Sequence, residues 1–162
     1  MTRLLLALGA AALLSIHMPA LAGDDNDGRH GRDRVKFELV ETTIPEIHDA
    51  MRSNVLSVER LTQMYLKRIE AYEQAGPGIN AYIHINENAL REARQLDALN
   101  DHHRGRPSRK PLFGVPVLLK DNIDTADMPT TAGSVALAGS IPPDDAFIGR
   151  KLRNAGAIIL GK

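Results

Sequence analysis

The chain has 162 residues, 43% hydrophobic and 25% charged, which fits one globular domain and excludes wholesale disorder. Twenty basic residues balance twenty acidic ones, so charge gives no argument for nucleic acid or an anionic membrane as partner. Cysteine is absent, which excludes a disulfide framework, a thiolate metal site and a cysteine nucleophile.

Met1-Thr2-Arg3 is a short basic lead, Leu4 to Ile16 is almost wholly apolar, and Ala20-Leu21-Ala22 has the form of a cleavage site. That order predicts a signal peptide over 1–22 and export, to a periplasm or the exterior. The apolar run is too short to favour a stable membrane anchor. Residues 23–34, GDDNDGRHGRDR, contain no apolar side chain and are expected to be a flexible leader. The domain proper is then 35–162. Asp24, Asp25, Asp27 and His30 are the residue types of a metal site, but a solvated spacer accounts for them and no metal is expected.

Thr43-Ile44-Pro45-Glu46 predicts a capping box opening a helix to about Arg52. Ser57 caps a second helix to about Ala75, with Val58, Leu61, Tyr65, Ile69 and Tyr72 on one apolar stripe. Residues 79–85, INAYIHI, alternate as a strand would, with His84 in a polar phase. Asn86 is expected to cap a third helix with Leu90, Ala93, Leu96 and Leu99 inward. Residues 101–110, DHHRGRPSRK, read as a solvated connecting loop.

Val115 to Leu119 form a short apolar strand that ends on Lys120-Asp121. An ammonium is costly to bury unless it is paired or deprotonated, so this lysine is the first candidate for chemistry. The Val117-Leu118-Leu119 run offers desolvation that would let Lys120 act as a general base. Asp121 points to the opposite face of a strand and need not meet it. Thr131-Ala132-Gly133-Ser134 follow as a tight loop in which Ser134 caps the next turn or, alternatively, forms a nucleophile–base dyad with Lys120. Asp144 and Asp145 favour a helix start, with Ile148, Leu152 and Ala155 inward and Gly156 as its stop. Ala157 to Leu160 is a final buried strand. The alternation of helices and strands predicts an α/β fold. An ending at Gly161-Lys162, just past an apolar strand, suggests a truncated domain.

Three blocks carry a resemblance: FGVPVLLKDNID at 113–124, PTTAGS at 129–134 and DDAFIGRKLRNAGAIILGK at 144–162. In that order and spacing they resemble the amidase signature family, with SVERLTQMYLKRIEAYE and INAYIHINENALREARQLD similar to its opening helices. The resemblance implies the N-terminal part of a mixed-sheet α/β/α fold and an enzyme that hydrolyses carboxamide C–N bonds. It implies a Ser–cisSer–Lys acyl-enzyme mechanism on a small-molecule amide, without cofactor. The family's lysine matches Lys120. Both triad serines are expected outside this chain, which alone is expected to be inactive. Asp121, Thr131, Gly133 and Ser134 fall in the supporting loop. Many members carry glycine where this chain has Ala126-Asp127-Met128. Two rival readings remain: a non-catalytic interaction fragment with exposed sheet edges at 115–119 and 157–160, and a cytoplasmic protein like the amidotransferase subunit that releases ammonia from glutamine.

Overall fold

A computed structural model of the chain describes residues 37–102 and 110–162. The expected signal peptide and leader lie outside the described residues, as does most of the basic loop.

Helix α1, Ile44–Arg52, starts as the sequence dictates. The Thr43 hydroxyl accepts from the Glu46 amide at 3.4 Å, and the Glu46 carboxylate accepts from the Thr43 amide at 2.7 Å. Helix α2, Val58–Ile69, runs into a π-helical turn, Glu70–Gln74, so the second predicted helix is continuous to its stop but widens in its last turn. Ser57 caps α2 locally. Asp97, from helix α3, Ala89–His102, caps it a second time, accepting from the Val58 and Glu59 amides at 2.8 and 2.9 Å. A carboxylate at the positive end of a helix dipole is favourable, and here it also locks α3 to α2.

Val58 and Leu61 are buried, while Tyr65 and Ile69 pack partly against the core. Tyr72 leaves the stripe and lies exposed beneath the Arg68 guanidinium. On α3 the buried side chains are Ala89 and Ala93. Leu90 is half-buried and Leu99 exposed, so the inner face is set by small residues that let α3 approach α2 closely.

The predicted strand at 79–85 is not formed. Asn80 takes a positive φ of 55°, which breaks the extended run. The Glu73 carboxylate takes the Ala81 and Tyr82 amides, and the Lys162 carbonyl takes those of Ile83 and His84. Only Ile85 makes a bridge, antiparallel to Gly161. Asn86 heads the turn that leads into α3, its side chain accepting from the Asn88 amide at 2.9 Å and its carbonyl from the Ala89 amide at 3.1 Å. It is also buried, donating to the Ile159 carbonyl at 2.8 Å.

Strands β1, Pro116–Leu118, and β2, Ile158–Gly161, pair in parallel, with a register irregularity between Val117 and Leu118. Between them run a 3-10 turn, Val135–Leu137, and helix α4, Phe147–Asn154. Alternation along β2 divides the core. Ile158 and Leu160 join Ile47, Val58, Leu61, Ala93 and Phe113 on the α1–α3 side. Ile159 joins Leu119, Met128 and the partly buried Leu152 on the other. The sheet thus lies between two layers, as α/β/α predicts.

Helix α4 starts just after Asp144 and Asp145, with Ala146 flanking it, and the Asp145 carboxylate accepts from the Ala126 amide at 2.9 Å. One expectation for α4 changes. Ile148 is exposed, and Gly149 and Leu152 face inward because Gly149 lies against the Asp124 carbonyl. The sheet-edge expectation also changes, since β2 is covered on its second side by the backbone of 83–86.

Candidate active site

A lysine follows each strand, Lys120 after β1 and Lys162 after β2, and the two have opposite fates. Lys120 follows β1 and is exposed. Among the described residues its ammonium has no hydrogen bond and no ion pair. The expected desolvation is not supplied, because Leu118 is itself 46% exposed. What the strand end supplies is a fixed backbone. The Leu119 amide donates to the Gly161 carbonyl at 3.1 Å, and the Lys120 carbonyl accepts from the Ile123 amide at 3.0 Å.

Asp121 turns the other way and is only 6% exposed. One of its carboxylate oxygens accepts from the Thr131 amide at 3.1 Å and from the Thr131 hydroxyl. Its backbone carbonyl accepts from Ala132 at 3.1 Å. The Thr131 hydroxyl in turn accepts from the Gly133 amide at 3.1 Å. Burial pushes the Asp121 carboxyl up, but the bonds from Thr131 and Gly133 and the Lys162 ammonium outweigh it, leaving the pKa below the ordinary aspartate value. The structure therefore joins Asp121, Thr131 and Gly133. It brings neither Thr131 nor Ser134 into hydrogen bonding with Lys120. Ser134 is exposed and its side chain caps nothing, although its carbonyl accepts from the Leu137 amide.

An open cleft of about 290 Å³ is lined by Ile83, His84, Thr131, Gly133, Ser134, Val135 and Ala138. Lys120 is not part of that lining. His84, expected at the surface or hydrogen-bonded, has a buried Nε2 with no partner among the described residues. Among the described residues, no group of three or more His, Asp or Glu side chains converges as a metal site requires.

Sequence reasoning missed two residues. Lys162 is 3% exposed, and its ammonium donates to the Pro129 carbonyl at 3.0 Å and the Thr130 hydroxyl at 2.6 Å. The signal was present: a lysine directly after Ile-Ile-Leu-Gly needs a partner for the same reason Lys120 does. Arg153 pairs with Asp127, Asp145 and Glu92 at 2.6, 3.1 and 3.4 Å. Asp127 lies in the loop where the resemblance implies glycine, yet neither it nor its neighbours Ala126 and Met128 take a positive φ. The loop needs no glycine there, and the carboxylate is used by Arg153.

A parallel β–α–β unit between helical layers, with these strand-end loops, defines an α/β/α protein of the amidase-signature fold. The chain belongs to the Amidase family, whose model matches residues 60–162. It is similar to the peptide amidase of Stenotrophomonas maltophilia, with 46% identity and a TM-score of 0.71 over 76% of this chain and 24% of that one. An amidase family protein from Bacillus anthracis is 41% identical, with a TM-score of 0.70 over the same shares. A glutamyl-tRNA(Gln) amidotransferase subunit of Lawsonia intracellularis is 46% identical over 125 residues, 76% of this chain and 24% of the relative. The chain thus spans about a quarter of the length of these relatives.

Proposed function

We propose that Lys120 is the proton-transferring base and acid of a Ser–cisSer–Lys amide hydrolase. The observation that carries this reading is an exposed lysine just past the C-terminal end of a parallel strand, without a side-chain partner among the described residues and with its backbone held on both sides. Such an amine can meet a serine hydroxyl brought by residues beyond this chain. A neutral amine there would take the serine proton through the bridging serine as the nucleophilic oxygen attacks the carboxamide carbon. It would return the proton to the leaving amine, and water would then release the acyl group. Asp121, Thr131 and Gly133 contribute by fixing the loop that follows the lysine. The chemistry calls for no metal or cofactor.

The carboxamide class follows from the family, and the 46% identity to a peptide amidase makes a C-terminally amidated peptide the first substrate to test. These 162 residues alone are proposed to be inactive, since among the described residues no hydroxyl lies in hydrogen bonding with Lys120. The signal-like residues 1–22 support export of the protein. Similarity to the glutamyl-tRNA(Gln) amidotransferase favours a second reading in which glutamine is the amide and the protein works in the cytoplasm. Finding the N-terminus intact in the cytoplasm supports that reading, and a mature start at Gly23 opposes it.

The test assays the 162-residue chain beside the full-length gene product, using an amidated peptide and glutamine and detecting ammonia. The full-length product should release ammonia and the 162-residue chain should not. Turnover by the shorter chain that Lys120→Ala and Ser134→Ala both abolish would instead assign the internal dyad.

A further inference from the structure

We propose that Lys162 is a positioning residue for the Lys120 site, the second of two charged anchors that hold the loop after β1. The inference rests on Lys120 being the base.

Lys162 stands at the end of β2 as Lys120 stands at the end of β1. Gly161, the residue before it, accepts the amide of Leu119, the residue before Lys120, at 3.1 Å. The backbone of Lys162 is itself fixed: its amide donates to the His84 carbonyl at 2.8 Å, and its carbonyl accepts from Ile83 and His84 at 2.7 and 3.0 Å. From this rigid base the side chain grips Pro129 and Thr130. Asp121 grips Thr131 and, through its carbonyl, Ala132. Four successive loop residues are therefore tied to the two strand ends, with Lys120 between the tie points at Leu119 and Asp121.

Filling space does not account for this arrangement. A buried ammonium is costly to desolvate, and an apolar side chain would fill the same volume without that cost. What an ammonium adds is direction, through donors aimed at one carbonyl and one hydroxyl. It also places a positive charge near Asp121, which the Asp121 carboxylate senses. The buried cation thus favours the ionised carboxylate that Thr131 needs as acceptor.

The experiment is NMR of the 162-residue chain, comparing Lys162→Met, Lys162→Arg and, as an exposed control on α2, Lys67→Met. In Lys162→Met, exchange of the Ala132 amide proton should be roughly tenfold faster, as expected for losing a hydrogen bond from a charged donor. The Lys120 backbone amide resonance should shift, while the Leu61 and Ile158 amides keep their protection. Lys162→Arg should restore most of the Ala132 protection, and Lys67→Met should change neither signal. Unchanged Ala132 exchange in Lys162→Met overturns the proposal. So does equal acceleration at Ala132, Leu61 and Ile158, which marks a general structural role. If Lys162→Met does not fold, Thr130→Val decides by removing one acceptor of the ammonium: faster Ala132 exchange supports the proposal and unchanged exchange overturns it. None of these readouts depends on catalysis. Failure of the Lys120 reading would appear separately, as activity that survives Lys120→Ala in the full-length product.

Discussion

The Asp121 carboxylate holds Thr131 twice through one oxygen, by the backbone amide at 3.1 Å and by the hydroxyl. That pair ties the PTTAGS segment to the end of β1. It makes Asp121 a structural acceptor rather than a partner of the lysine beside it in sequence. Replacing it by asparagine keeps the size but puts a weaker acceptor in a buried position. Asp121→Asn should cost about 1–2 kcal/mol, and Thr131→Val a similar amount. Because both act on the bond between the Thr131 hydroxyl and Asp121, the double variant should cost less than the sum of the two. Urea midpoints of the four proteins check this.

The same pair predicts a pH dependence. Asp121 titrates below the ordinary aspartate value when folded, so the unfolded chain, with a pKa of about 3.9, binds its proton first as pH falls. The stabilisation from Asp121 is therefore fully present above about pH 4 and is lost as pH falls through the folded pKa. Lys162 behaves differently, since burial lowers its pKa against the pull of Asp121, Asp124, Asp127 and Asp145. Its cost as an ammonium is relieved as pH rises from the folded pKa toward the unfolded value of about 10.4. The stability difference between the native chain and Asp121→Asn should be constant above about pH 4 and shrink in acid. A difference that does not change with pH would show that Asp121 is not the titrating group.

From α4, Arg153 clasps α3 through Glu92, the 125–128 turn through Asp127 and the segment before its own helix through Asp145. Burial pushes the Glu92 carboxyl up, and Arg153 partly offsets it. Arg153→Met leaves three half-buried carboxylates without their cation, at a cost on the order of 2 kcal/mol. The Glu92 titration, followed by NMR, should move further up. Asp127→Asn in the Arg153→Met background should recover part of the loss, since it removes one of the repelling charges.

Gly161 is required by close approach. A Cβ there would fall on the His84 carbonyl oxygen and press on the Ile85 Cα, both backbone. Gly161→Ala should cost about 2 kcal/mol or more and weaken the Lys162–His84 pairing. Thermal unfolding and protection of the Lys162 amide measure both effects.

Local signals in the sequence proved dependable where the determinants lie close together. The Thr43–Glu46 box, the Ser57 cap, the Val115–Leu119 run and the Gly156 stop all depend on neighbours within a few residues. The failures involve distant partners. Residues 79–85 alternate like a strand, but their amides are taken by Glu73 and Lys162, which the pattern cannot reveal. Asp145 stands just before a helix start, but its carboxylate is taken by Ala126 and Arg153, which the local pattern cannot reveal. At the site, motif resemblance singled out Lys120, Asp121, Thr131 and Gly133, and the structure joins the last three. Lys120's exposure and Lys162's burial depend on how the two strand ends meet, which only the folded chain displays.

The central claim is that Lys120 moves the proton in amide hydrolysis. Its most direct test is the rate of ammonia release from an amidated peptide by the full-length gene product, compared with its Lys120→Ala variant. A lost general base predicts a fall in kcat/KM of about a hundredfold to ten-thousandfold with the fold intact by circular dichroism. Activity within about threefold of the unaltered protein would contradict the assignment of Lys120, far short of the loss a general base implies.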